Sequence, residues 1–502
     1  MPERNQFRTS LTNPNEFTIA YELVPGQGFG GKQVDRLLDF SRKAKADGRI
    51  KALSITDNPG GNSALAPAAI GEELLQIGIE PLIHFSLKDK NRSQVASHIF
   101  LYQRMLMHSL LVMGGDYPKP GYYGQARPVY DLDTIQALQL MHDVENGYYP
   151  DHQLEKKQEQ LPSPILFKGC VVSPFKTTEA EQVWQYAKLL HKVRAGADFI
   201  ITQLGYDKRK FTELMAFLKQ NDIDLPVLAN VFIPSLLVTR AMATGRIPGV
   251  LVADELVAKM EHEAAAGDTK ARLNRAAAMI VCLKELGFQG VHLGGNCLDF
   301  EDIQHVLDRV EQMERASELS DPDCDYPIKD SWYFFSSEQK GAEKPKMTPL
   351  TPGARPGAAK VHELSHHLLF SEQTFTGRLF GKFCLFCDRG TYRTKILRAV
   401  ERLIKRLLFN CRMCGDCTLA RSAYLCPQSG CPKQLVNGPC GGSRKGYCEV
   451  FPERRCFWVR VYDRLDPHTT IETLTESPPL HPKDWALEKT SSWINHFKNN
   501  TP

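Results

Sequence analysis

Eight short apolar runs pace the first 300 residues of this chain and alternate with longer helical patterns. The runs are FTIAYELV (17–24), IKALSITD (50–57), EPLIHFSL (80–87), SLLVMGGD (109–116), ILFKGCVVS (165–173), FIITQL (199–204), PVLANVF (226–232) and GVHLGG (290–295). They are apolar almost throughout, the pattern of parallel strands buried on both faces. The stretches between them, such as VDRLLDFSRKAKADG and VWQYAKLLHKVRAGA, are amphipathic and read as crossover helices. Eight β/α units in this length predict an α/β fold, a (β/α)8 TIM barrel. An open doubly wound sheet is the runner-up, because strand order is not written in the runs themselves.

A second feature divides the chain. Ten of its fourteen cysteines fall between Cys384 and Cys456. They are Cys384-x2-Cys387, Cys411-x2-Cys414-x2-Cys417, Cys426, Cys431, Cys440, Cys448 and Cys456. A CxxCxxC run sets three thiolates on one tight loop, as a cubane iron–sulfur cluster requires, with a fourth from further along. Paired CxxC knuckles also build four-thiolate zinc sites, so iron–sulfur and zinc both stay open. A disulfide framework is disfavoured, because the chain is long and its start, MPERNQFRTSLTNPNEF, holds no apolar signal segment.

Composition bounds the rest. With 42% apolar and 24% charged residues this is the make-up of a globular protein. A net charge of +4 over 502 residues argues for neither a nucleic-acid nor a membrane partner. No apolar run approaches membrane-spanning length, and the expected location is cytoplasmic. The domains expected are a barrel over 1–313, a Pro/Gly/Lys-rich linker over 314–360, a small Cys-rich metal-binding α+β module over 361–465 and a loosely packed extension over 466–502.

In a β/α barrel, chemistry sits at the C-terminal ends of the strands. Those ends carry Glu22, Thr56 with Asp57, His84, Asp116, Ser173 and Gln203. Glu22, inside AYELVPG, is a carboxyl that desolvation could turn into an acid. The bland alternative is a carboxylate bonded to loop amides.

These residues resemble a family. Glu22, Ser54-Ile55-Thr56, His84, Gly115-Asp116-Tyr117-Pro118, Lys192-Val193-x-Ala195-Gly196-Ala197 and Thr202-Gln203 with Asp207 are similar to the pattern of methylenetetrahydrofolate reductase, a flavin barrel. The tail resembles the Cys-rich C-terminal module fused to or partnered with such reductases. The resemblance implies interconversion of 5,10-methylenetetrahydrofolate and 5-methyltetrahydrofolate by hydride transfer through FAD, with FMN as the other option. It implies that Glu22 protonates the substrate for ring opening, and that Asp116 lies near the flavin pyrimidine and the pterin. Gln203 would hydrogen-bond the folate. Thr56, His84, Gly115, Asp116, Ser173 and Lys192 would hold the flavin, with Lys192 as a point charge near its phosphates. The electron donor implied is NAD(P)H or a ferredoxin-like carrier, the latter entering through the tail. A homo-oligomer is compatible with all of this. The rival readings are oxidation of methyltetrahydrofolate in a demethylation pathway, and a non-catalytic folate- or nucleic-acid-binding metalloprotein.

Three other motifs compete for attention. Gly26-x-Gly28-x-x-Gly31 after the first strand, with Asp57 ending the second, imitates a dinucleotide fingerprint. A flexible loop beside the active site is the preferred reading. His362-Glu363-x-x-His366 matches a zinc-protease pattern, but a helix packing between domains accounts for it. Thr394–Arg412 is an amphipathic helix with Ile396, Val400, Leu403, Ile404 and Leu407 on one face. Its basic residues suggest a solvated face or a dock for an acidic electron carrier rather than for nucleic acid. His98, His108 and His142 receive no role, and Cys170, Cys282 and Cys297 read as core.

Overall fold

The computed structural model describes residues 5–147, 163–316, 322–336, 345–353 and 356–499. Of the expected linker, 317–321, 337–344 and 354–355 lie outside the described residues. The chain forms two compact units: Met1–Thr348 with Cys440–Lys445, and Pro349–Pro439 with Gly446–Pro502.

The first unit is a closed barrel of eight parallel strands. They are β1 (Thr18–Leu23), β2 (Ile50–Ile55), β3 (Glu80–Ser86), β4 (Ser109–Met113), β5 (Phe167–Val172), β6 (Phe199–Thr202), β7 (Val227–Ile233) and β8 (Gly290–Gly295). Each pairs with its neighbours in sequence, and β1 closes the ring by pairing with both β2 and β8. Closure removes the doubly wound alternative. Each of the eight apolar runs holds one strand, since both faces of every strand are covered.

The N-terminal end of the barrel is plugged. A short helix, Gln6–Leu11, drives Phe7 and Leu11 into a cluster with Ala20, Ala52, Leu82, Leu111, Phe167, Phe199 and Leu228. Small residues on β1 and β2 leave room for the Phe7 ring, which meets Phe167 and Phe199 edge-on at 5.8 and 5.4 Å. Asn5 caps this helix at Arg8 N and also donates to Ser109 Oγ at 2.8 Å, fastening the plug to the start of β4. The C-terminal end is thereby left as the working mouth.

Two further segments pack on this unit. Over 322–336, Tyr326 N bonds Tyr206 O, Trp332 N bonds Thr177 O, and Phe334 is buried against Tyr186 and Phe217. Over Cys440–Lys445, buried Lys176 donates to the carbonyls of Gly441 and Ser443 at 2.6 Å each. Gly249, at φ 73°, permits this approach, because a Cβ there would stand 2.6 Å from Gly441 O.

Among its described residues the regular structure of the second unit is helical, with one antiparallel bridge between Tyr447 and Arg455. Its core gathers Cys384, Cys387, Leu397, Ile494 and Phe497. The final residues, expected to pack loosely, therefore supply two core side chains from the helix Ser492–Asn499. The helix Thr391–Phe409 reverses the expected pattern. Leu397, Glu401 and Lys405 are its buried row, while Ile396, Val400, Leu403, Ile404 and Leu407 are exposed. Glu401 sets this orientation, accepting from Ser491 Oγ at 2.6 Å and Ser492 Oγ at 2.7 Å and pairing with Lys405 at 3.1 Å.

Candidate active site at the barrel mouth

Three titratable side chains converge inside the mouth. Glu22 comes from β1, His84 from β3 and His292 from β8, with donor atoms all within 4.8 Å of one another. His292 Nε2 lies 2.7 Å from Ser54 Oγ, a bond that passes from β8 to β2 across β1. The two imidazoles stand 5.8 Å apart, centre to centre. Burial sets the charge of all three. It pushes Glu22 up to about 7. It pushes His292 down to about 4, and His84 down to about 3 with help from His292. The site at neutral pH is thus two uncharged imidazoles around a carboxyl poised between its two forms. His84 Nε2 and His292 Nδ1 are buried with no hydrogen-bond partner among the described residues. Two imidazoles and a carboxylate are also donors a divalent transition ion accepts.

The other expected site residues surround this group. Thr56 is buried, with Oγ1 3.5 Å from Leu23 O. Asp116 is half-buried and accepts from Gly60 N at 2.8 Å. Gly115 takes φ 82°, and a Cβ there would meet Ser86 Oγ at 2.1 Å. Ser173 is buried and its Oγ has no partner among the described residues, nor does that of Ser86. Gln203 follows β6, with its N on Val172 O at 2.7 Å and its Oε1 on Leu204 N at 2.9 Å. Lys192 is buried rather than open at the rim. Its Nζ donates to Val171 O at 2.5 Å, and burial lowers it to about 8. Asp207 caps the helix Lys208–Gln220 and accepts from Tyr333 Oη at 2.9 Å. A buried polar atom left unpaired costs free energy, so unpaired atoms on β3, β8 and just past β5 mark where a polar ligand would repay them.

A family model for methylenetetrahydrofolate reductase matches residues 7–296, more than half of the chain. The chain belongs to the methylenetetrahydrofolate reductase family. A second model, methylene-tetrahydrofolate reductase C terminal, matches residues 392–486. No curated protein matches the chain significantly. Among solved structures, a protein from Clostridium thermocellum described as binding two copies of 5-methyl-5,6,7,8-tetrahydrofolic acid is 13% identical, with a TM-score of 0.41. That match covers 62% of this chain and 99% of the other. A 2,3-dimethylmalate lyase is 13% identical with a TM-score of 0.34, covering 62% and 85%. Neither likeness bears on the ligand of this chain.

Within this methylenetetrahydrofolate reductase barrel the imitating motifs find ordinary places. Asp57 pairs with Lys90 at 2.6 Å, and the glycine loop leads into the helix Lys32–Asp47. His362, Glu363 and His366 lie on the helix Gly357–Phe370 of the second unit. They belong to no donor trio, since Glu22, His84 and His292 are the only such trio among the described residues. No helix among the described residues is long and apolar enough to cross a membrane.

The family's C-terminal module holds the thiols in more than one setting. Cys411 lies within electrostatic reach of Cys414 and Cys426, and Cys414 of Cys417. Cys384 and Cys387 instead sit in the apolar core, where burial pushes the Cys384 thiol up to about 12. Cys440 belongs to the barrel unit, its carbonyl accepting from Gln185 Nε2 at 3.1 Å. Cys431, Cys448 and Cys456 lie in the second unit, Cys456 buried. Sequence reasoning missed His292 as a site residue and took Ser54 only as part of a family match. The available signal was a histidine inside the apolar run GVHLGG, in phase with strand positions facing the barrel interior.

Proposed function

We propose that this chain is a flavin-dependent reductase that interconverts 5,10-methylenetetrahydrofolate and 5-methyltetrahydrofolate. The observation that carries the reading is Glu22, a carboxyl lifted to about 7 by burial at the end of β1 in a barrel of this family. The mouth fits a flavin. Among the described residues His84 Nε2, Ser86 Oγ and Ser173 Oγ are buried without hydrogen-bond partners, and Gly115 keeps the end of β4 free of a side chain. Thr56, His84, Gly115, Asp116 and Ser173 would hold it, with Lys192 beneath the end of β5. When bound, the flavin supplies the hydride exchange with folate. Glu22, still partly protonated at neutral pH, gives its proton to the folate nitrogen that leaves the bridging carbon as the ring opens. His84 and His292 stay neutral at that pH and do not compete as acids. Gln203 would hydrogen-bond the folate, and Asp116 would lie beside the pterin.

In the tail, Cys411, Cys414, Cys417 and Cys426 would hold a metal centre. A cubane takes one thiolate per iron, and the Cys411-x2-Cys414-x2-Cys417 run with Cys426 supplies that number. Such a centre would allow single-electron entry from a ferredoxin-like carrier, whereas the same thiolates on zinc would be structural. The test is flavin, iron, sulfide and zinc analysis of the full chain purified without oxygen, together with flavin reduction by ferredoxin and by NAD(P)H. Flavin and acid-labile sulfide support the reading. A colourless protein refutes it, and zinc alone refutes its electron-entry part.

A further inference from the structure

The second unit contains a cavity of about 350 Å³, lined only by its own residues. That volume lies in the range of small-molecule and cofactor sites. Its walls are strongly aromatic. The ring of His362 meets Phe409 at 4.9 Å and Tyr424 at 6.2 Å, and that of His366 meets Phe370 at 5.2 Å and Tyr424 at 5.8 Å. Trp493 adds a further face, 6.4 Å from Phe370.

Two imidazoles enter these walls unspent. The ring nitrogens of His362 and His366 make no hydrogen bond among the described residues, and their rings pack on Phe409, Phe370 and Tyr424. Buried Lys405 also lines the cavity, but its ammonium is already paired with Glu401 at 3.1 Å and bonded to Ser492 Oγ at 2.5 Å. Of the ten tail cysteines, Cys417 alone borders the space, so a cluster bound by four thiolates does not account for it. Aromatic faces stack on flat π-systems. Free imidazole nitrogens recognise carbonyls and N–H groups on a ring edge.

We propose that this cavity is a binding site for a planar heteroaromatic cofactor of the flavin type, separate from the barrel mouth. It would make this a chain with two flavin sites, one in each unit.

The test counts flavin. Full-length protein, purified without oxygen, is equilibrated with FMN up to about 0.1 mM, a range that captures micromolar sites, and bound FMN per chain is measured after gel filtration. Ala420→Trp fills the cavity from an exposed lining position, and His366→Leu removes one free imidazole while keeping the bulk. The wild type should carry one FMN more per chain than Ala420→Trp, and His366→Leu should bind that FMN at least tenfold more weakly. Circular dichroism and iron content should match across the three proteins. The measured quantity is a difference of one flavin, so it holds whether the barrel contributes one or none. Equal stoichiometry in wild type and Ala420→Trp overturns the proposal. Undiminished affinity in His366→Leu overturns the recognition by imidazole.

Discussion

Ser54 Oγ and His292 Nε2 stand 2.7 Å apart on strands β2 and β8, with β1 between them. That bond occupies one ring nitrogen of a histidine grouped with Glu22 and His84, and leaves His292 Nδ1 buried without a hydrogen-bond partner among the described residues. The barrel thus orients an imidazole against its acid with a hydroxyl two strands away.

Glu22→Gln should keep the barrel folded and its flavin bound, while folate turnover falls on the order of 100-fold or more. Gln preserves the shape and removes the proton. Steady-state turnover of methylenetetrahydrofolate beside flavin content checks this, and near-normal turnover would remove Glu22 from the acid role.

The folate-dependent rate should decline as pH rises through about 7, where Glu22 loses its proton in the fold. The unfolded chain loses that proton near 4.5. Between these values the native state holds the extra proton, so this group's contribution to stability falls with rising pH. Glu22→Gln lacks the dependence. Urea midpoints of the variant should therefore gain on wild type from pH 4.5 to 7 and hold a constant lead above 7. A lead that does not change with pH would contradict the buried-acid account.

Ser54→Ala should cost about 1–3 kcal/mol, because it leaves His292 Nε2 buried and unpaired. It should also shift the pH midpoint of the folate reaction, since His292 turns relative to Glu22. Unfolding curves and the pH profile read the two effects separately. A stability loss with an unmoved profile would reduce Ser54 to packing.

Phe7→Ala should destabilise the barrel by about 3–5 kcal/mol, as expected for a fully buried ring in a closed core. The plug was poorly legible in the sequence. Its helix offers only Phe7 and Leu11 as apolar contacts in a polar stretch, and the partners that bury them lie on distant strands. The eight strands were legible for the opposite reason: burial on both faces writes an apolar run into each one. His292 was hidden by this same rule, because a polar residue inside such a run reads as noise until three strands bring Ser54, Glu22 and His292 together. On the helix Thr391–Phe409 the periodicity was real, but the buried face followed Glu401 and its serine partners about 90 residues later.

Cys414→Ser and Cys426→Ser should remove the metal from the tail, because these thiols lie in the group around Cys411. Cys384→Ser should keep the metal and lower stability, because it sets a hydroxyl in an apolar core. Iron and sulfide analysis beside thermal unfolding separates the cases. Loss of metal in Cys384→Ser would move that residue into the ligand set.

The most direct measurement is an anaerobic titration of the full-length protein with 5-methyltetrahydrofolate, following flavin absorbance near neutral pH. The account predicts bleaching in the wild type, with little or none in Glu22→Gln at equal flavin content. A flavin that stays oxidised in the wild type, or bleaches equally fast in both proteins, would contradict it.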